Sequence, residues 1–224
     1  MENYKIIIPA RRNSKGLPFK NRALFFATLH RIPKEYYDHL LVTTDDEWII
    51  SLCINQHIKY VVRPADLADD HASMKDVMRD VFKHFDDIVP DTNVIMLYLT
   101  YPERTWDDIK KAYDFFIDIG AKSMLCKKEI KSTHPYLFMY ELEDNKGKQL
   151  IQHNLYRRQD YPKVFEISHF ITIFKAGELE NLNLNLYNKN TVFNPIEDKV
   201  DVDTEDDLNK LKNENITYQN NTDS

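Results

Sequence analysis

Glycine is scarce in this chain, with four in 224 residues. Neither of the common glycine-rich phosphate loops is present: no Gly-Lys-Ser/Thr step leads into a helix, and there is no Rossmann glycine fingerprint. Cysteine is scarcer still. Cys53 and Cys126 fit neither a disulfide framework nor a metal-ligand spacing, and they are expected as ordinary buried thiols. Long apolar runs are missing too. The longest, Ile6 to Ile8 and Val94 to Leu99, fall far short of a membrane span. The amino terminus has no basic segment followed by an apolar run and cleavage site, so a cytoplasmic protein without membrane partners is expected. Cations are in deficit, 30 against 36 acidic residues for a net charge of −6. That balance argues against a general nucleic-acid binder, which needs a broad basic surface.

Against this acidic background, positive charge gathers in one place. Ile6 to Asn21 reads IIIPARRNSKGLPFKN, an apolar strand running into a loop. Between positions 11 and 22 stand five cations, Arg11, Arg12, Lys15, Lys20 and Arg22, and no carboxylate. A loop of this kind attracts a polyanion, phosphate first among candidates. Gly16 lets a phosphate approach the backbone N–H groups, Pro18 stiffens the loop, and the Asn21 amide can reach a base or ribose.

The rest of the chain supplies an α/β frame for that loop. Short apolar runs at Tyr4 to Pro9, Leu40 to Thr44, Tyr60 to Val62, Val94 to Leu99 and Ser123 to Cys126 alternate with segments of helical period. That alternation predicts a layered βαβ domain with a mostly parallel sheet. Met74, Val77, Met78, Val81, Phe82 and Phe85 line one helix face, and Trp106 to Ile117 repeats the pattern before Gly120 closes it. Ser73 with Asp76, Thr105 with Asp108 and Thr204 with Asp207 each set a hydroxyl three residues before a carboxylate, which predicts a helix start. The rhythm changes from Thr133 to Phe170, where an aromatic-rich hairpin excursion is expected. One domain over residues 1–212 is expected, with residues 213–224 a flexible polar tail.

A second cluster is Asp201-Val202-Asp203-Thr204. In extended backbone, Asp201 and Asp203 project to one face and can converge on a cation, for which hard oxygen donors beside phosphate favour Mg²⁺. The same residues also read as the acidic start of a helix near Thr204.

In order along the chain, IIPARRNSKGLPFKN, VTTDDEWI, RPADLADDHAS, TYPERT, RRQDYP and DVDTEDDL resemble the motif series of the sugar-acid cytidylyltransferases. These include CMP-N-acetylneuraminate synthetase (acylneuraminate cytidylyltransferase), its pseudaminate and legionaminate relatives and 3-deoxy-D-manno-octulosonate cytidylyltransferase. The resemblance covers about Ile6 to Leu211. It implies a Rossmann-like nucleotidyltransferase fold that uses CTP and Mg²⁺ to activate a keto sugar acid as its CMP derivative, releasing pyrophosphate. By motif, Arg11, Ser14, Lys15, Gly16, Lys20 and Asn21 would hold the nucleotide, with Arg63 and Ser73 along its pocket. Arg11, Lys20 and Asp203 would be catalytic. Asp201 and Asp203 would hold Mg²⁺, and one of the pair is a candidate acceptor for the hydroxyl proton. Arg158 and Gln159 match a pair that relatives bring to the sugar site across a dimer interface, which implies a homodimer through residues 133–170. Arg157 competes for Arg158's role.

The acceptor side departs from the pattern. Tyr98-Leu99-Thr100-Tyr101-Pro102-Glu103-Arg104 stands where the family has Gln-Pro-Thr-Ser-Pro-Leu-Arg, and Ser168-His169 stands where it has Asn-Gly. Tyr98, Arg104 and His169 join Arg158 and Gln159 as candidate acceptor contacts, and packing beside Phe170 is the other reading of His169. Two alternatives stay open: another nucleotide or acceptor on the same fold, or a catalytically silent binding protein.

Overall fold

A computed structural model describes residues 3–13, 20–130, 133–143, 146–207 and 209. Ser14, Lys15 and Gly16, and the tail expected over residues 213–224, lie outside the described residues.

Nine strands and four α-helices are described. The strands are β1 (Tyr4–Pro9), β2 (Leu40–Thr44), β3 (Lys59–Val62), β4 (Asn93–Met96), β5 (Ser123–Glu129), β6 (Met139–Glu141), β7 (Gly147–Gln149), β8 (Phe165–Lys175) and β9 (Val192–Pro195). The helices are α1 (Lys20–His30), α2 (Glu47–Asn55), α3 (Met74–Lys83) and α4 (Trp106–Asp118). Seven strands form one sheet in the order β3-β2-β1-β4-β8-β5-β9. All neighbouring pairs are parallel except the two made by β8, which runs antiparallel between β4 and β5.

The helices begin where the hydroxyl–carboxylate pairs predict. The Ser73 hydroxyl accepts from the Asp76 N–H, and Thr105 and Asp108 form a full capping box. Gly120 follows α4 at φ +64°, the left-handed geometry of a helix cap that a side chain would oppose. Apolar side chains fill both faces of the sheet. Ile6, Ile8 and Ile95 pack with Phe25, Ile49 and Phe116 on one face, and Ile7, Leu41 and Met96 pack with Val77, Met78 and Val81 on the other. Cys53 and Cys126 belong to this interior, where burial pushes both thiols up to about 12. Among the described residues, no helix is long and apolar enough to cross a membrane.

One expectation needs correction. The excursion was expected to run to Phe170, but the sheet resumes at Phe165, because Phe170 to Phe174 is a buried run that β4 and β5 sandwich. What remains outside is a small antiparallel hairpin, β6 with β7.

Candidate active site

Chain order reverses between β1 and β4: from β1 the sheet grows outward through β2 and β3, and then returns to β1's other edge. Open α/β sheets bind ligands at the carboxyl ends of strands where this reversal opens a crevice. A cleft of about 190 Å³ lies there, lined by Pro9 at the end of β1 and Arg11 beyond it, Tyr98 to Thr100 after β4, and Lys20, Asn21, Arg63, Met74 and Asp203. Larger hollows exist, such as one of about 550 Å³ beside Lys128 and Glu166, but their linings contain none of these residues.

The basic loop meets acids brought from elsewhere in the chain. Arg11 Nη1 donates to Asp70 Oδ1 at 2.8 Å and to the Asp69 carbonyl at 3.3 Å. Lys20 Nζ donates to Asp203 Oδ1 and to the Val202 carbonyl, both at 2.9 Å. Arg22 Nε pairs with buried Asp46 at 2.9 Å, which directs that cation to the start of α2. Asn21 donates through Nδ2 to the Arg11 carbonyl at 2.7 Å, joining α1 to the end of β1.

Arg63 leaves β3 almost fully buried and donates to Thr43 Oγ1 at 3.3 Å and the Thr43 carbonyl at 3.0 Å. Burial pulls its pKa down to about 10, opposed by Asp45, so it remains a cation at neutral pH. Ser73 is occupied as a cap, exchanging hydrogen bonds with Asp76, while Met74 beside it lines the cleft.

The two readings of the acidic segment separate. Thr204 and Asp207 form the helix cap, with Asp207 Oδ2 accepting from the Thr204 N–H at 2.9 Å and its hydroxyl at 2.7 Å. The Asp203 carboxylate instead faces Lys20 and is largely exposed. Around buried Val202, Asp201 is exposed as well and accepts at Oδ2 from the Tyr101 hydroxyl at 2.9 Å. Asp201 precedes Val202 and Asp203 in an irregular segment and is not part of the cleft's lining.

The candidate acceptor residues scatter. Tyr98 lines the cleft, and its ring meets the edge of His169 at 5.1 Å. Burial holds the Tyr98 hydroxyl protonated and pulls the His169 pKa down; His169 Nδ1 is buried with no hydrogen-bond partner among the described residues. Arg104 is buried and turned inward, with its guanidinium donating to the Tyr98 and Phe170 carbonyls. Arg158 and Gln159 sit exposed on the single turn Arg158–Asp160, and neither lines the cleft within one copy of the chain. Arg157, the competing residue, is committed to Asp160 at 2.9 Å. Tyr101 and Ser168, which sequence reasoning noted only as departures, meet beneath Asp201.

The fold is shared with nucleotidyltransferases of known structure. The chain superposes on CMP:2-keto-3-deoxy-manno-octonic acid synthetase complexed with CTP at a TM-score of 0.67 and 14% identity, covering 97% of this chain and all of that one. It superposes on the 2-C-methyl-D-erythritol 4-phosphate cytidylyltransferase of Francisella tularensis at 0.60 and 14% identity, covering 94% and 99%. Residues 5–223 match the protein-family model for cytidylyltransferases, and the chain belongs to that family. It is 28% identical over 169 residues to an N-acylneuraminate cytidylyltransferase of Streptococcus agalactiae serotype V, covering 71% of this chain but only 40% of that protein. A post-translational flagellin modification protein B of Campylobacter coli is 27% identical over 82% of both chains. The pseudaminic acid cytidylyltransferase of Campylobacter jejuni is 28% identical over 71% of this chain and 72% of its own length.

Proposed function

We propose that this chain transfers CMP from CTP to a keto sugar acid, releasing pyrophosphate. The observation that carries the reading is the meeting of Arg11, Lys20, Arg63 and Asp203 in one cleft at the sheet's reversal point. The names of the Streptococcus and Campylobacter relatives support a sialic-acid-like acceptor.

Arg11 and Lys20 each already hold a carboxylate, so a triphosphate would exchange one anionic partner for another without recruiting new cations. As the anomeric hydroxyl attacks the α-phosphorus and pyrophosphate departs, these fixed cations offset the charge spreading over the phosphate oxygens. Asn21 and Arg63 hold the walls, through the Arg11 carbonyl and Thr43 respectively. Asp201 and Asp203 would hold Mg²⁺. Mg²⁺ takes one or two carboxylates and completes its shell with phosphate and water. When bound, Mg²⁺ supplies charge neutralisation at the phosphate oxygens and an in-line arrangement for attack. The same reading assigns the chain to the cytoplasm, where CTP is available.

A homodimer belongs to this reading. Arg158 and Gln159 are exposed, and the apolar side chains around them lack cover in one copy. A second copy would supply that cover and bring the pair to an acceptor site. A variant reading keeps CTP but changes the acceptor; inward-facing Arg104 and the Tyr98–His169 wall favour it.

Incubation with CTP, Mg²⁺ and a panel of nonulosonic and octulosonic acids should release pyrophosphate with at least one member. Asp203→Ala should lower that rate by about 100-fold or more. Absence of release across the panel, with CTP binding demonstrated, overturns the acceptor class.

A further inference from the structure

We infer that Tyr101 is a positioning residue whose hydroxyl, itself held by Ser168, fixes the orientation of the Asp201 carboxylate; this rests on the assignment of Asp201 to the metal pair.

The hydrogen bonds run in one direction. Ser168 Oγ accepts from the Phe170 N–H at 3.2 Å, which leaves its hydrogen for the Tyr101 oxygen at 3.3 Å. With that lone pair occupied, the Tyr101 hydrogen goes to Asp201 Oδ2 at 2.9 Å, a charge-assisted bond. Ser168 and Tyr101 are both buried, so water competes little for either bond.

Several contacts hold the scaffold around this pair. The Tyr101 ring stands edge-on to Phe170 at 5.5 Å, and Arg104 ties the same turn to the Phe170 carbonyl. The Val202 N–H donates to the Thr100 carbonyl at 2.8 Å, so the acidic segment is anchored to that turn by its backbone as well. Asp201 is thus held at its main chain and at one carboxylate oxygen. Asp201 makes no other hydrogen bond among the described residues, which leaves Oδ1 as the oxygen to offer a cation. Asp203, by contrast, is set by Lys20 and needs no phenol.

Mn²⁺ serves as the probe, with its binding to the protein in the presence of CTP followed by electron paramagnetic resonance. Tyr101→Phe keeps the ring against Phe170 and removes only the hydroxyl, so folding is retained. It should weaken Mn²⁺ binding about 10-fold, the usual cost of losing an outer-shell partner. Ser168→Ala should weaken it less, in the same direction. Asp201→Asn should weaken it at least as much as Tyr101→Phe, and adding Tyr101→Phe to Asp201→Asn should cost nothing further. If Asp201→Asn weakens Mn²⁺ binding while Tyr101→Phe merely lowers the melting temperature, or if the two losses add, the positioning role is overturned and the metal pair stands. If Asp201→Asn leaves Mn²⁺ binding unchanged, the metal pair itself fails and this role fails with it.

Discussion

Arg104 carries a charge into the interior, and among the described residues no carboxylate pairs with it. Its guanidinium spans two backbone carbonyls, Tyr98 at 2.9 Å and Phe170, and lies over the Phe170 ring at 5.9 Å. Burial pulls its pKa down to about 10, so the group is still protonated at pH 7. The planar fork is what lets one side chain reach both carbonyls; an ammonium at the same place cannot. Arg104→Lys should therefore destabilise the fold by about 2 kcal/mol, the cost of a stranded buried carbonyl and a poorly solvated cation. Urea denaturation at pH 7 reads this directly, and an unchanged midpoint would mean that the clamp contributes nothing. The same residue shows the limit of reading a site from sequence. An arginine after a proline turn in a family motif reads as a ligand contact, and only the path of β8 reveals the carbonyls that consume it. That Arg11, Lys20 and Asp203 share one cleft was legible from the motifs, although the acidic segment also read as a helix start. Their partners were not: the pairing of Arg11 with Asp70 spans 59 residues of chain.

At the scale of elements, the start of α2 ties the basic loop to the sheet. Asp46 is fully buried, accepts from the Trp48 N–H at 2.9 Å and pairs with Arg22 from α1. Burial by itself would raise its carboxyl pKa, but the hydrogen bonds from Arg22 and from the Trp48 and Ile49 N–H groups outweigh it, and the net shift is downward from 3.8. A folded-state pKa below the unfolded value means stability that is fully present above about pH 4 and lost as pH falls through the folded value. Asp46→Asn should thus lower stability at pH 7 and flatten the acid limb below about pH 4. Asp46→Ala should cost about 2–3 kcal/mol at pH 7, since it removes a helix cap and leaves Arg22 without its carboxylate. Denaturant midpoints measured from pH 3 to pH 7 check both, and parallel profiles for wild type and Asp46→Asn would remove Asp46 as a source of acid sensitivity. The parallel strands and capped helices could be read locally, β1 and β2 to the residue. β8 could not, because its first half, Phe165 to His169, alternates with polar residues and continues the excursion without a break. The signal it did carry was the run Phe170-Ile171-Thr172-Ile173-Phe174, continuous rather than alternating, as suits a strand covered on both faces.

At the scale of the molecule, the hairpin region is out of balance with the rest. Eleven of the nineteen exposed large apolar side chains among the described residues fall between Leu137 and Ile167. All six residues of β6 and β7 are exposed, and a two-stranded hairpin without a packed face is marginally stable in water. Its base is held by rings, with Tyr136 stacked on His153 at 4.3 Å and tilted against Tyr161 at 5.2 Å, but its outer face is left uncovered. An exposed apolar patch of this kind marks an interaction surface, and a second copy of the chain is the partner that also suits exposed Arg158 and Gln159. Sedimentation at micromolar concentration should then give twice the chain mass of 26.7 kDa. Met139→Glu, which adds a charge to the exposed strand, should shift that mass toward the monomer. On the proposed function, it should raise the KM for the sugar acid while leaving CTP affinity within about twofold, because the cleft proposed for the nucleotide is lined from β1, α1, α3 and the turns after β3 and β4 within one copy. A wild-type chain that sediments as a monomer would remove the partner's arm from the acceptor site. A Met139→Glu variant that loses acceptor and CTP affinity together would show that the hairpin supports the nucleotide cleft within its own chain.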